Sequence, residues 1–127
     1  MNQFRLDHIA LYVSDLEKST RFYQNIFELR SIPNPFQSGK AWFMLSETIQ
    51  LHLIENESES LSIPERSHFC FSTSSLKTFI NRLEQNGISY SDFDGNTSRI
   101  RLRPDGIQQI YFQDPEGYWW EVNDAWG

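Results

Sequence analysis

The chain contains only three histidines, His8, His52 and His68, and together with Glu121 they fall at matching places in two similar halves. Residues 6–13 (LDHIALYV) open the first half. They are followed by a helical pattern over about 14–27 and, later, by the apolar run 49–54 that carries His52. Residues 67–73 (SHFCFST) open the second half, followed by a helical pattern over about 75–86 and, later, by residues 118–123 that carry Glu121. Each half therefore begins and ends on a strand bearing a side chain able to donate to a metal. A repeat of this kind restricts the chain to two equivalent half-domains.

Strand parity sharpens the pattern. Successive side chains alternate across a sheet, so His8, Ala10 and Tyr12 share one face while Ile9, Leu11 and Val13 share the other. The aliphatic face is the one expected to lie under a helix. The same test places His68, Cys70 and Ser72 opposite Phe69 and Phe71, Gln50 and His52 opposite Leu51 and Leu53, and Trp119, Glu121 and Asn123 opposite Trp120 and Val122. All four candidate ligands fall on the face turned away from the helices.

The helices have their own signals. Leu16, Thr20, Tyr23 and Phe27 recur at helical spacing in the first, with Ser14 and Glu17 placed for a capping box. Leu76, Phe79, Ile80 and Leu83 form the apolar stripe of the second, and Gly87 stands where a left-handed cap is wanted. Further strands are expected over 28–32 and 41–45 in the first half, and over 88–93, 99–103 and 107–113 in the second. Turn signals at Pro33, Pro35 and Gly39, at Asp94-Gly95, at Pro104-Asp105-Gly106 and over residues 114–117 separate them. On this reading the second half has one strand more than the first.

At 127 residues the chain suits one domain, with modules over about 4–55 and 67–125 and a linker over about 56–66. The polar, acidic stretch from Glu55 to Arg66, with Pro64 inside it, reads as a solvated connection. A net charge of −6 argues against nucleic acid or an anionic membrane as partner. No apolar run approaches a membrane span, and the N-terminus lacks the layout of a signal peptide, so a cytoplasmic location is expected. The single Cys70 can close no internal disulfide, in keeping with a reducing compartment.

Residues 6–19, with Phe22-Tyr23 after them, resemble the opening of the vicinal oxygen chelate superfamily. That superfamily includes glyoxalase I, bleomycin-resistance proteins, fosfomycin-resistance thiol transferases and extradiol dioxygenases. Residues 111–121 (YFQDPEGYWWE) are similar to its closing signature, an aromatic strand, an Asp-Pro-acid-Gly turn and a strand ending in a liganding glutamate. The resemblance implies an α+β fold in which two βαβββ modules form a curved mixed-sheet cup around a metal site. It also implies His8, His68 and Glu121 as ligands. His52 matches the fourth ligand position, where glyoxalase I itself usually carries glutamate.

Three imidazoles and one carboxylate suit Zn, Ni, Fe, Co or Mn better than Ca or Mg, which prefer oxygen shells. Such an ion polarises two neighbouring substrate oxygens and stabilises an enediolate, with Glu121 as ligand and, when displaced, as general base. The expected activity is that of a glyoxalase-like lyase or isomerase acting on a small 2-oxo compound or its thiol adduct. An Fe(II) extradiol-type dioxygenase and a non-catalytic bleomycin-resistance-type binding protein are the alternatives. Tyr12, Gln50 and Trp119 are candidate substrate contacts on the ligand face. Arg99, Arg101 and Arg103 share one face of a strand, and Arg101 is the candidate anion contact, against the alternative of a solvated edge. A homodimer is expected, with each site either inside one chain or shared between two.

Overall fold

The computed structural model describes residues 3–36, 38–56 and 67–126. The chain divides into two compact units, Met1–Ser62 and Ile63–Gly127. Of the expected linker, residues 57–66 lie outside those described.

The first unit contains β1 (His8–Val13), α1 (Leu16–Asn25), β2 (Arg30–Ile32), β3 (Lys40–Met44) and β4 (Gln50–Glu55). Its sheet has the order β1-β4-β3-β2, with β1 parallel to β4 and the other pairs antiparallel. The second unit repeats the plan with β5 (His68–Ser72), α2 (Leu76–Gln85), β6 (Arg101–Leu102), β7 (Gln108–Gln113) and β8 (Trp119–Asn123) in the order β5-β8-β7-β6. Each unit is thus a βαβββ module, as the repeat and the resemblance led one to expect. The parallel pairing of first and last strands is what places His8 beside His52, and His68 beside Glu121, since a parallel pair needs a long connection and the rest of each module supplies it.

Burial follows the parity argument on the packed side. Leu11, Val13, Leu51 and Leu53 are buried in the first module, and Trp120, Val122, Ile110 and Phe112 in the second. In α2 the stripe is the expected one, with Leu76, Phe79, Ile80 and Leu83 all buried. Its ends are also as expected. Ser75 accepts from the Thr78 amide at 3.2 Å, and Gly87 takes φ +68°, a conformation that costs a residue with a Cβ.

Four local expectations are corrected. The N-cap of α1 is Asp15, not Ser14: its carboxylate accepts from the Lys18 amide at 3.0 Å, so Glu17 sits one position too early for a capping box and pairs instead with Arg21 at 2.6 Å. The buried stripe of α1 is Ser19, Phe22, Tyr23 and Ile26, with Leu16, Thr20 and Phe27 at its margins, because starting the helix at Leu16 turns this series toward β3 and β4. Finally, the extra strand over 88–93 does not form. Ser91 alone bridges to Tyr111 and Thr97, after which Asp92 binds the Asn96 amide at 2.8 Å and the chain turns through Gly95 at φ +86°. Both sheets therefore have four strands. Glu55, assigned to the linker run by its charge, is the last residue of β4 and accepts from the Leu16 amide at 3.4 Å.

The turn into β8 is built by Asp114, which is buried and accepts from the amides of Glu116 at 3.0 Å and Tyr118 at 2.9 Å. Gly117 completes it at φ +99°. This turn fixes the register in which Tyr111 faces Glu121. Among the described residues no helix is long and apolar enough to cross a membrane.

Candidate metal centre and adjoining cavity

In the second module the parallel pairing of β5 with β8 sets Cys70 opposite Glu121 and brings His68 alongside. The His68 Nε2 atom lies 3.2 Å from Glu121 Oε1. Two donors each about 2.1 Å from one ion, at right-angled or tetrahedral geometry, stand roughly 3.0–3.4 Å apart, so this pair has the spacing of two neighbouring ligands.

Glu121 is buried, and its second oxygen is held by Gln109 Nε2 at 2.6 Å and by Asn123 Nδ2 at 3.2 Å. Burial alone would raise its pKa. Hydrogen bonds from Gln109, Asn123, Cys70 and Tyr111 outweigh that cost and hold the carboxyl below the usual carboxylate range. The group is therefore ionised at neutral pH, as a metal ligand must be. Burial, followed by the charge of Glu121, raises the Tyr111 phenol, so it remains a donor. The Arg101 guanidinium, near Tyr111, acts to lower its phenol.

Cys70 lies beside the same carboxylate, its Sγ donating to the Phe71 carbonyl at 3.5 Å and accepting from Asn123 Nδ2 at 3.3 Å. Burial first, and the neighbouring Glu121 second, push its thiol up to about 12. Without an ion bound it stays protonated at neutral pH.

The first module presents a different arrangement. His8 Nδ1 lies 2.7 Å from Asp7 Oδ2, the carboxylate–histidine pairing that orients a ligating imidazole and directs its Nε2 outward. His52 is buried as a slab between two rings, 3.7 Å from Trp42 with planes 5° apart and 4.2 Å from His8 with planes 18° apart. Its Nε2 lies 2.8 Å from Gln50 Oε1. Gln50, expected at the substrate, is thereby engaged with His52. Burial first, then the proximity of His8, lowers the His52 pKa.

That shift has a measurable consequence. A histidine whose folded pKa lies below its unfolded value binds fewer protons in the native state, so stability is fully present above about pH 6.5 and falls as the pH drops below it. Urea midpoints measured from pH 8 to pH 5 should decline, and His52→Gln should flatten the decline. An identical slope in that variant would contradict the assignment.

Within neither module do three His, Cys, Asp or Glu side chains gather among the described residues. The donor chemistry nevertheless fits a divalent transition ion: an ionised, multiply anchored carboxylate at ligand spacing from one imidazole, and a second imidazole oriented by a carboxylate.

Next to His68 the second module opens a cavity of about 230 Å³, lined by Phe93, Tyr111 and Trp119 and also by Asp92 and Asp94. Trp119, a sequence candidate for substrate contact, lines it. Arg101 does not: its guanidinium rests 4.7 Å over the Phe93 ring. Tyr12 is half-exposed on the outward face of β1. Sequence reasoning missed Gln109 and Tyr111, although parity along β7 would have found them, since Ile110 and Phe112 take the packed face and leave these two on the face of Glu121.

The model of the Glyoxalase/Bleomycin resistance protein/Dioxygenase superfamily matches residues 5–122. The chain belongs to this superfamily. Among curated relatives it is 31% identical to virulence protein STM3117 of Salmonella typhimurium, over 94% of this chain and 83% of that protein. Among solved structures the oxidase ChaP-H2 superposes with a TM-score of 0.81 at 21% identity, covering 98% of this chain and 95% of that one, a likeness of fold. The fosfomycin resistance protein FosX from Listeria monocytogenes superposes with a TM-score of 0.77 at 25% identity, covering 96% and 93%.

Proposed function

We propose that the chain is a divalent-metal-dependent enzyme of the glyoxalase-like kind, a lyase or isomerase acting on a small compound with two adjacent oxygens. The observation that carries this reading is the 3.2 Å pairing of His68 Nε2 with an anchored, ionised Glu121. His8, His68 and Glu121 hold the ion, one Zn, Ni, Fe, Co or Mn per site. His52, engaged with Gln50 and stacked under His8, either turns to become the fourth ligand or supports His8 from below. When bound, the ion polarises the two substrate oxygens and stabilises the charge that develops as the adjacent C–H proton leaves. Glu121 is in the state a ligand or a base requires, and the donors around it favour the ligand role by weakening it as a base.

A second reading, an Fe(II) dioxygenase, is favoured by one feature: with His52 engaged, the remaining ligands are two imidazoles and one carboxylate, which leave positions open for oxygen. Activity screens against 2-oxo compounds, their thiol adducts and catechols, run with and without air after loading with Zn, Ni or Fe(II), separate the two. Turnover without oxygen supports the lyase or isomerase. Turnover of a catechol that stops when oxygen is removed supports the dioxygenase, and binding without turnover under any loading supports a sequestering protein instead.

The assembly proposed is a cytoplasmic homodimer in which one domain per chain contributes both modules. If His8 and His52 of one subunit meet His68 and Glu121 of the other, a heterodimer of His8→Ala and Glu121→Ala subunits regains one intact site and loses two ligands from the other. Metal analysis should then give about half the wild-type content. Content near zero means that each site lies within one chain, and a metal-bound monomer at micromolar concentration would refute the dimer.

A further inference from the structure

The two oxygens of Glu121 are treated differently by their surroundings. A carboxylate oxygen has two lone-pair sites, and both sites of Oε2 are taken: Gln109 Nε2 donates at 2.6 Å and Asn123 Nδ2 at 3.2 Å. Oε1 is the atom left facing His68 Nε2, at 3.2 Å. An ion beside His68 is therefore offered one oxygen of Glu121 and denied the other.

Both amides are fixed in the sense that donates. The Asn123 carbonyl accepts from the Ala125 amide at 3.1 Å, and its Nδ2 also reaches Cys70 Sγ at 3.3 Å, so turning the group over would break these bonds and set an oxygen against the carboxylate. Gln109 keeps the same sense although its own Oε1 is buried and finds no partner among the described residues. A buried acceptor without a donor destabilises, and the orientation is explained by what the N–H does at Glu121. The placement comes from strands. Asn123 lies two residues along β8 from Glu121 on the same face, and Gln109 stands directly across from Asn123 on β7, with all three side chains buried.

We propose that Gln109 and Asn123 are positioning residues that clamp Glu121 as a one-oxygen ligand and keep it on the ion when a substrate with two adjacent oxygens enters. The clamp rests on the proposed function for the presence of the ion. It goes further in that Glu121 cannot swing away to become the base without breaking two buried hydrogen bonds, and in that the position Oε2 would fill stays open for the substrate.

Infrared difference spectra of the full-length protein, Zn-loaded minus metal-free, read the mode of binding. One-oxygen coordination widens the separation of the two carboxylate stretching bands relative to the free group, and two-oxygen coordination narrows it. The bands of Glu121 are those missing from Glu121→Gln. Wild type should show the widened pair, unchanged on adding acetohydroxamate, a small chelator with two adjacent oxygens and no carboxylate. Gln109→Met, alone and combined with Asn123→Leu, should narrow the separation as Oε2 is released to the ion, and should lower Zn affinity by about 10–100-fold. Variants that lose affinity but keep the wide separation would show a merely structural role and overturn the clamp. So would a narrowed pair in wild type, or its return to the free value with acetohydroxamate, and neither measurement needs a variant to fold. Protein that takes up no Zn, or Zn that leaves the Glu121 bands unmoved, overturns the metal reading and the clamp with it, which sets the two failures apart.

Discussion

Glu121→Ala should abolish both metal uptake and turnover while leaving a protein with native secondary structure. The substitution removes the only carboxylate of the proposed ion shell and strands donors arranged around it, the Gln109 and Asn123 amides at 2.6 and 3.2 Å among them. Leaving buried donors unpaired costs about 1–3 kcal/mol, so the denaturation midpoint should fall modestly. Dialysed variant protein should hold less than about a tenth of the wild-type metal, since loss of a direct ligand exceeds the roughly 10–100-fold affinity loss seen when an outer partner is removed. His68→Ala should behave alike in metal content. Full metal retention in either variant would count against the ligand assignment.

The largest effect on stability is expected at Trp120, whose neighbour shows the opposite behaviour. Trp120 is 1% exposed, stacks on Phe71 at 5.2 Å with planes 10° apart, and meets Phe69 at 5.2 Å. Trp120→Ala should cost about 3–5 kcal/mol, a large share of the roughly 5–15 kcal/mol that holds a domain together. Trp119 points to the other face of β8 and lines the cavity, so Trp119→Ala should cost far less stability and act on ligand binding. Urea denaturation followed by circular dichroism measures both. Equal losses at the two tryptophans would contradict the assignment of faces.

That pair of adjacent tryptophans shows what was legible in the sequence. Two-residue periodicity separated their faces without coordinates, and it did the same for His8 against Ile9 and for His52 against Leu51. Helical spacing located α2 to within a residue, because its apolar stripe is continuous and Ser75 and Gly87 mark its ends. In α1 the stripe is diluted by the buried Ser19, and the cap falls on Asp15, next to the expected Ser14, so the expected register slipped. Residues 88–93 carry strand-forming side chains, yet the network of Asp92 with Asn96 draws the chain away after the two isolated bridges of Ser91. The cavity wall formed by Phe93 was hidden for the same reason. Nor could spacing show that His52 would be enclosed between Trp42 and His8, since that contact depends on the pairing of three strands.

The most direct test of the central claim is a crystal structure of metal-loaded protein with anomalous data collected across the absorption edge of the bound element. The account predicts one ion per site about 2.1 Å from His68 Nε2, from a Glu121 carboxylate oxygen and from His8 Nε2. An ion bound without His68 and Glu121, or no anomalous peak near them after loading, would contradict it.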